Sequence, residues 1–282
     1  MRSHTADFGL LSGDFVPSEG AAAIWRDLCG EAVAASAADP ALARAMNSAV
    51  LYHGSFAQAL GHRIALKLAD HDIDVDELQA VVVQALINEP DIIAAAAADL
   101  RAIRERDPSN AEILTPFLYF KGFLALQGQR IAHWLWHHRR IHLARHLQSR
   151  ISEVLGVDIH PAARMGRGIM LDHGSGLVIG ETAVVEDDVS ILQNVTLGGT
   201  GKEAGDRHPK IRRGVLIGAG AKILGNIEVG VGAKVGAGSV VVDPVPPYTS
   251  VVGIPARVVG KTHTSLPGLT MEPSIDGPDY VI

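Results

Sequence analysis

Aliphatic residues recur at every sixth position through the C-terminal part of the chain, in two separate runs. An α-helix repeats about every 3.6 residues and an ordinary strand every two, so neither element produces this period. A hexapeptide repeat is the sequence signature of a parallel β-helix, in which each unit supplies one short strand and one turn. The periodic side chains should then point into the core. The first run consists of Ile159, Met165, Leu171, Leu177, Ala183, Val189 and Val195, and the second of Ile211, Ile217, Ile223, Val229, Val235 and Val241.

Three six-residue units are expected to close one triangular coil, so equivalent positions should recur every eighteen residues. The second run reaches Pro247 at its next eighteen-residue step, and a proline cannot donate a ladder hydrogen bond. We therefore predict that the regular coil ends near Val242. The count also predicts two stacked columns, with Ile159, Leu177 and Val195 in one and Ile211 and Val229 in the other.

The two runs are out of phase with each other. Val195 and Ile211 are 16 residues apart, which is not a multiple of six. The segment 197–210 between them should therefore contain an insertion of four or ten residues. We expect this insertion to project as a loop from the rigid coil, in the kind of place where functional residues are often found.

The first part of the chain has a different composition and predicts helices. It is rich in Ala, Leu, Arg and His, whereas most of the Gly and Val residues lie beyond residue 156. The fold class is thus α+β, with a helical N-terminal domain (1–156), a β-helix domain (157–262) and a flexible C-terminal tail (263–282). Capping residues and prolines place helix ends along the first domain. The predicted helices cover 20–36, a segment from Asp39-Pro40, Asp74 or Asp76 to Asn88, Asp91 to Arg106, a segment from Thr115-Pro116, and about Gln129 to Leu155.

Charge and composition exclude several classes of function. The net charge of −6 gives no indication of a general nucleic-acid-binding protein. No apolar run approaches the roughly 20 residues that span a bilayer, and the N-terminus lacks the pattern of a signal peptide. Cys29 is the single cysteine, so no intrachain disulfide can form. These features predict a cytoplasmic protein that binds neither nucleic acid nor membrane.

Charged and histidine residues interrupt the repeat, although a β-helix has no structural need for them. Asp158 and His173 are 15 residues apart, so they can lie on neighbouring coils near one corner. A carboxylate beside a histidine fixes the ring tautomer and stabilises the imidazolium. His173 is therefore a candidate general base, because histidine ordinarily titrates near neutral pH.

The inserted loop carries a second group of candidates. Arg207 can bind the two oxygens of a substrate carboxylate with its planar fork, and Asp172 can pair with it and fix the loop. For His160 we favour a structural role. His133 and His137 are four residues apart and could hold a metal, but we favour a helix whose apolar face is buried.

The segments LDHGSG, TLGGTGK and GDRHPK, together with RERDP and FLYFKGFLALQGQR in the helical part, resemble serine O-acetyltransferases of the hexapeptide-repeat acyltransferase superfamily. The resemblance extends over roughly residues 20–262. It implies a left-handed β-helix and an enzyme that transfers the acetyl group of acetyl-CoA to the hydroxyl of L-serine, without a metal. This reaction is the first step of cysteine biosynthesis from serine, and the family is commonly inhibited by cysteine.

Carried over residue by residue, the resemblance assigns roles within the site. His173 matches the catalytic base and Asp158 its partner. Asp107 matches a residue that contacts the serine amino group, and Arg207 matches the residue that anchors the serine carboxylate. His208 matches a residue that lines the same pocket, and Asp172 matches one that orients Arg207.

The resemblance also implies partners. Family members form trimers through the β-helix, with active sites between subunits, and pair into hexamers. Ile282 matches a C-terminal isoleucine that binds O-acetylserine sulfhydrylase, a form of terminal carboxylate capture. By analogy with the superfamily, the candidate CoA contacts are Gly199, Ala219, Ala237, Arg257 and Lys261.

Two other enzyme classes remain open at this stage. Other hexapeptide acyltransferases modify sugars or amino acids. A zinc enzyme of the γ-carbonic anhydrase kind would need three histidines at one metal, and the available set is His160, His173 and His208.

Overall fold

The computed structural model describes residues 19–201, 204–272 and 274. Helices occupy the chain up to Leu155, and short strands follow from Val157. A 3-10 turn (Pro40–Leu42) and a π-helical turn (Asn47–Leu51) flank the second helix. The helices are α1 (Glu19–Ala38), α2 (Ala43–Met46), α3 (Phe56–Leu68), α4 (Val75–Asn88), α5 (Asp91–Arg106), α6 (Leu114–Tyr119), α7 (Lys121–His137), α8 (Ile141–Leu155) and α9 (Pro267–Thr270).

Side-chain caps define two of the helix starts that the sequence predicts. The Asp39 carboxylate accepts a hydrogen bond from the Ala41 amide at 3.0 Å. Asp74, rather than Asp76, caps α4 and forms a reciprocal capping box with Glu77. Within the described chain, no single helix is both long and apolar enough to cross a membrane, and α4 and α5 meet those criteria only as a pair bent by 96°.

The predicted helix from Gln129 to Leu155 is wrong, because the chain turns back between α7 and α8. Arg139 adopts a positive φ of 58°, and α8 then packs against α7. Neither glycine nor proline marks this turn, so the sequence carries no breaker signal there. The reversal returns the chain to the edge of the β-helix at Val157.

The strands form three parallel faces, which confirms the parallel β-helix. Face 1 contains β1 (Val157–Ile159), β4 (Leu177–Ile179), β7 (Thr196–Gly198), β10 (Lys222–Leu224) and β13 (Val240–Val241). Face 2 contains β2 (Arg164–Met165), β5 (Val184–Val185), β8 (Lys210–Ile211) and β11 (Glu228–Val229). Face 3 contains β3 (Met170–Leu171), β6 (Ser190–Ile191), β9 (Leu216–Ile217), β12 (Lys234–Val235), β14 (Thr249–Gly253) and the antiparallel β15 (Ala256–Lys261).

Three corners join these faces. The first corner connects faces 1 and 2 and includes 160–163, 180–183 and the long loop 199–209. The second corner connects faces 2 and 3 and includes 166–169, 186–189, 212–215 and 230–233. The third corner connects faces 3 and 1 and includes 172–176, 192–195, 218–221 and 236–239.

The first predicted column is partly wrong, because the first coil is longer than eighteen residues. Asp158 pairs with Val178, twenty positions later, so Ile159 stacks on Ile179 and not on Leu177. The two additional residues lie between β3 and β4, at the third corner. Two inward positions exist in each repeat, as the burial of both Leu177 and Ile179 shows. A count in steps of six can therefore change from one inward position to the other and still fall on an aliphatic residue.

The same ambiguity explains the wrong size predicted for the inserted loop. Thr196 pairs with Lys222, twenty-six positions later, so the loop adds eight residues to a coil, and not four or ten. Val195 occupies the inward position two residues before Leu197, which is the residue that stacks on Ile223. The distance along the chain to Ile211 is therefore two residues too long when it is counted from Val195 instead of Leu197.

The coil also continues beyond the predicted end near Val242. Ile211 stacks on Val229 as predicted, but the next place in this column is taken by Val245 and not by Pro247. Ser250 of β14 pairs with Lys234, so the last coil is two residues shorter than the standard eighteen. The antiparallel strand β15 then covers the end of face 3.

A buried ion pair joins the helical part to the β-helix. Asp99 of α5 is fully buried, and its Oδ2 accepts a hydrogen bond from Arg130 Nη2 of α7 at 2.6 Å. The other carboxylate oxygen accepts from the Ile169 amide at 2.9 Å, and Arg130 Nη1 donates to the Gly166 carbonyl at 2.8 Å. Both charged groups therefore bind main-chain atoms of the second corner, which fixes α5 and α7 on the first coil.

Candidate active site

His173 lies at the third corner, in the place where two residues are added to the first coil. Its backbone has a positive φ of 55°, an uncommon conformation for a residue with a side chain. The side chain is 72% exposed, and Nε2 lies 3.8 Å from Oδ1 of Asp172. Strained backbone conformations cluster at functional sites, where the surrounding structure imposes them. The extended corner thus presents an imidazole to solvent beside a carboxylate.

The start of α7 imposes this corner conformation. A Cβ on Gly122 would lie 2.2 Å from the Leu171 carbonyl oxygen, so only glycine permits the close approach. Lys121 Nζ donates a hydrogen bond to Ser175 Oγ, and the Gly176 amide donates to the Gly156 carbonyl at 2.8 Å. Contacts from the helical part therefore hold both sides of the His173 turn.

Asp158 does not make the predicted contact with His173 in this structure. Its Oδ1 accepts a hydrogen bond from Gln148 Nε2 of α8 at 2.7 Å, and the ion pair that His173 makes is with Asp172. The carboxylate nevertheless belongs to β1, which lies next to the His173 turn through the Gly156–Gly176 hydrogen bond. Sequence spacing predicted that Asp158 lies near His173 but did not identify Gln148 as its partner.

Asp172 interacts electrostatically with both His173 and Asp107. Burial raises the pKa of Asp172, and the nearby charge of Asp107 raises it further, while His173 acts in the opposite direction. Asp107 follows the end of α5, and its Oδ1 accepts from the Ser109 amide at 2.9 Å and the Ser109 hydroxyl at 2.6 Å. Paired carboxylates favour a bound cation, because like charges at short distance destabilise each other. The arrangement suits an ammonium group.

Arg207 lies on the long loop 199–209 at the first corner, and its partner is Glu181. Arg207 Nη2 donates to Glu181 Oε2 at 2.7 Å, and Nη1 donates to the Gly205 carbonyl at 3.0 Å. The hydrogen bond to Arg207 is the main cause of a lowered pKa for Glu181. The predicted pairing of Asp172 with Arg207 is therefore not formed within this chain, because Asp172 lies at the third corner.

His208 is buried against the coil that precedes the loop. Its Nδ1 accepts from the Thr182 amide at 3.2 Å and lies 2.9 Å from Thr182 Oγ1. That hydroxyl oxygen accepts from the backbone amides of Arg207 and His208 at 3.0 and 3.1 Å. A Cβ on Gly180 would lie 2.0 Å from the His208 ring, so this packing requires glycine there. Burial, together with the charge of Arg207, lowers the pKa of His208. The lowered pKa favours the neutral form of the ring, which can serve as a hydrogen-bonding group.

His160 has a structural environment, and the three histidines of the zinc hypothesis do not converge. The His160 ring packs edge-on against Trp136 with centroids 4.9 Å apart, and Nδ1 accepts from the Ala162 amide at 3.0 Å. His160 and His208 belong to the first corner, whereas His173 belongs to the third. The metal-ligand grouping that the described residues do form consists of Asp70, His71 and Asp72 and includes none of these three histidines.

The candidate CoA contacts lie in three places: the third corner, strand β15 of face 3, and the first corner. Ala219 and Ala237 lie at the third corner, on coils that follow that of His173, and each precedes a glycine with positive φ. Arg257 and Lys261 belong to β15, at the end of face 3. The Arg257 side chain is exposed, and its Nη1 lies 3.5 Å from Asp243 Oδ2. Neighbouring strands are about 4.8 Å apart, so roughly 19 Å separates β3 from β14 along the face. Gly199 lies instead at the first corner, where a Cβ would be 3.3 Å from Arg207 Cγ.

Sequence reasoning missed Glu181, Thr182 and Gln148. Glu181 and Thr182 stand one coil before the loop at the same corner, so a correct register would have placed them beneath Arg207 and His208. Gln148 carries no signal of its own, because a glutamine on an amphipathic helix is ordinarily a surface residue. The predicted partner-binding residue Ile282 lies outside the described residues.

Comparisons with known proteins agree on one family. Residues 24–128 match the family described as serine acetyltransferase, N-terminal. The chain is 53% identical over 262 residues to a serine acetyltransferase of Salmonella typhimurium, which covers 93% of this chain and 96% of that protein.

Solved structures are similar over comparable lengths. A serine acetyltransferase from Vibrio cholerae superposes with a TM-score of 0.89 at 52% identity, covering 91% of this chain and 99% of that one. A serine acetyltransferase in complex with cysteine gives 0.88 at 50% identity, covering 89% and 98%. A serine acetyltransferase from Brucella abortus in complex with coenzyme A gives 0.84 at 50% identity, covering 85% and 96%.

Proposed function

The chain belongs to the serine acetyltransferase family, and from this premise we propose how its residues transfer acetyl from acetyl-CoA to the L-serine hydroxyl. The products are O-acetyl-L-serine and CoA. The observation that carries the proposal is the third corner, where an exposed histidine held in a strained turn lies 3.8 Å from the Asp172 carboxylate. The test is thiol release from acetyl-CoA with serine, homoserine and an amino sugar as acceptors. A preference for the sugar would favour another hexapeptide acyltransferase.

His173 acts as the general base in this proposal. A serine hydroxyl is a weak nucleophile until a base removes its proton. As the oxygen attacks the thioester carbonyl carbon, Nε2 of His173 takes that proton. The carbon–sulfur bond then breaks, and the imidazolium gives the proton to the departing thiolate. The charge of Asp172, 3.8 Å from the ring, stabilises the imidazolium, and Asp158 adds negative charge on the adjacent strand.

The charged groups match the two ends of the amino acid. Asp107 and Asp172 would bind the serine ammonium group, since the charge of Asp107 disfavours the charged form of Asp172 and a bound cation would offset this repulsion. Arg207 would bind the carboxylate through its planar fork, for which Glu181 holds the guanidinium in place. His208, fixed by Thr182, would line the same pocket.

The site would be shared between subunits. Within one chain the base lies at the third corner and the carboxylate anchor at the first, on opposite edges of face 1. A closed ring of subunits joined by heterologous contacts brings one edge of each subunit against the opposite edge of the next. We therefore propose a trimer in which the loop 199–209 completes the neighbour's site, with pairing of trimers into hexamers through the helical part.

Mixing two inactive variants tests this shared site. His173→Ala and Arg207→Ala should each be nearly inactive when assembled alone. When both chains are co-expressed in equal amounts, about one quarter of the interfaces receive an intact histidine and an intact arginine, so roughly a quarter of the activity should return. Mixed assemblies that stay as inactive as either variant would place both residues in one chain's site. The control is His173→Ala mixed with itself.

Cysteine is proposed to inhibit by occupying the serine site. A related serine acetyltransferase has a solved complex with cysteine. Cysteine has the same ammonium and carboxylate groups as serine, so Asp107 and Arg207 can bind both. Raising the serine concentration should therefore raise the apparent inhibition constant in proportion. Inhibition that saturating serine leaves unchanged would require a separate cysteine site.

The C-terminal residue Ile282 is proposed to bind O-acetylserine sulfhydrylase. Carboxylate capture of a chain terminus is an established recognition mode, and the deletion of one residue moves that carboxylate. Removing Ile282 should abolish co-purification of the sulfhydrylase, whereas acetyl transfer should remain at the wild-type rate. Ile282→Leu keeps an aliphatic terminus and serves as the control. Equal recovery of the partner with the deletion variant would contradict the assignment. We also propose that this protein is cytoplasmic, in keeping with the single free thiol of Cys29.

A further inference from the structure

The C-terminal segment packs back onto the second corner of the β-helix. We name Leu266–Met271, which includes α9, the clasp. The Gly268 amide donates to the Gly214 carbonyl at 2.9 Å. A Cβ on Gly268 would lie 2.6 Å from the Asp188 carbonyl oxygen and 2.7 Å from that of Val215. The clasp is therefore seated directly on the main chain of two successive coils, with no space for a side chain at its centre.

One buried hydroxyl links the clasp to the helical part. Ser190 of β6 is fully buried, and its Oγ donates to the Gly268 carbonyl at 2.7 Å. The same oxygen accepts a hydrogen bond from Arg106 Nη1 at 3.2 Å. A hydroxyl has one proton to donate and lone pairs to accept, so Ser190 satisfies both neighbours at once.

Arg106 is the last residue of α5 and directly precedes Asp107. Its side chain is 2% exposed, and Nη2 lies 3.5 Å from Asp188 Oδ1. A guanidinium this deeply buried needs its polar partners, because an unpaired buried charge is costly. The contacts of Arg106 with Ser190 and Asp188 therefore fix the end of α5, and Asp107 is the next residue along the chain.

We propose that the clasp, acting through Ser190 and Arg106, positions Asp107 for the ammonium group of serine. Ser190, Arg106 and Gly268 are then positioning residues for the binding of serine and not for that of acetyl-CoA. This inference rests on the proposed role of Asp107 in serine binding. The clasp would thus influence serine binding, although it lies at a different corner from His173 and beyond the end of the repeat.

Removing the Ser190 hydroxyl tests the link with a matched control. Ser190→Ala should raise KM for serine by roughly three- to tenfold, because the end of α5 loses one of its anchors. KM for acetyl-CoA should stay unchanged. Ser190→Thr, which keeps the hydroxyl, should restore the wild-type KM for serine. Ser250→Ala is the control: this serine is also buried on face 3, and its Oγ has no hydrogen-bond partner among the described residues.

A second variant displaces the clasp without touching Ser190. Gly268→Ala introduces a Cβ that two carbonyl oxygens exclude, and it should raise KM for serine as Ser190→Ala does. Gly30→Ala is the control, since a Cβ there meets no atom within 4 Å. A serine KM that is unchanged in Gly268→Ala, or a parallel rise in both KM values, would overturn the proposal. If Ser190→Ala does not fold, the KM values of Gly268→Ala alone decide whether the proposal stands.

Asp107→Asn separates this inference from the function on which it rests. A raised KM for serine in Asp107→Asn is expected if this carboxylate binds the ammonium group. An unchanged KM would remove the role of Asp107, and the clasp proposal with it, while serine acetylation by the wild-type protein would still stand. Wild-type protein that does not acetylate serine would instead contradict the proposed function itself.

Discussion

Replacing His173 with alanine should lower kcat for serine acetylation by about 10²–10⁴-fold, the usual contribution of a positioned general base. The expected cause is loss of the group that takes the serine proton and returns it to the CoA thiolate. KM for serine should change little, since the ammonium and carboxylate contacts are made by other residues. Thiol release at saturating serine and acetyl-CoA measures the effect.

A histidine outside the site provides the control for this variant. The His71 side chain is 90% exposed and lies in the helical part, so His71→Ala should keep the wild-type kcat. Equal melting temperatures for both variants would show that the fold is intact. Retention of full activity in His173→Ala would contradict the proposed mechanism, whatever the behaviour of the other site residues.

The largest loss of stability is expected from Asp99→Ala. The variant leaves the Arg130 guanidinium buried without its counter-charge and the Ile169 amide without its acceptor. Breaking a buried pair by removing one partner costs about 3–5 kcal/mol. Chemical denaturation of the full-length protein measures the free energy of unfolding. The helical part should also detach more easily from the β-helix, because this pair binds the second corner.

Two further variants show whether burial causes the loss. Asp27 and Arg104 form an ion pair at 2.7 Å, but both side chains are partly exposed. Asp27→Ala should therefore cost less than about 1 kcal/mol. The double variant Asp99→Leu with Arg130→Met removes both charges and should be more stable than Asp99→Ala alone. A loss in Asp99→Ala no larger than that in Asp27→Ala would mean that the buried pair does not hold the two parts together.

The sequence predicted the class of fold more accurately than its register. The six-residue period is a property of the repeat, and it survives any shift between the two inward positions of each unit. Leu177 and Ile179 are both buried aliphatic residues, so the pattern alone could not show which of them stacks on Ile159. The error of two residues then passed into the predicted size of the inserted loop. It concealed the longer corner that carries His173.

Site residues were easier to select than to pair. His173, Asp172, Arg207 and His208 are polar residues that the repeat does not need, and this is visible in the sequence, whereas Asp107 follows α5 in the helical part and was selected only by the resemblance. Their partners depend on contacts between distant segments. Arg207 binds Glu181, and Asp158 binds Gln148, because faces and corners bring these side chains together. The buried pair of Asp99 and Arg130 escaped notice for the same reason.

The sequence by itself determined that a helical part precedes a parallel β-helix, because local periodicity and composition suffice for that conclusion. The polar exceptions to the repeat selected candidate site residues, and the resemblance of their motifs to a known family supplied the reaction. Tertiary structure decided the register of the coils, the turn between α7 and α8, the partner of each charged group and the return of the clasp to the second corner. The physical reason is that each of these depends on close packing and hydrogen bonds between residues far apart in the chain, which no periodicity records.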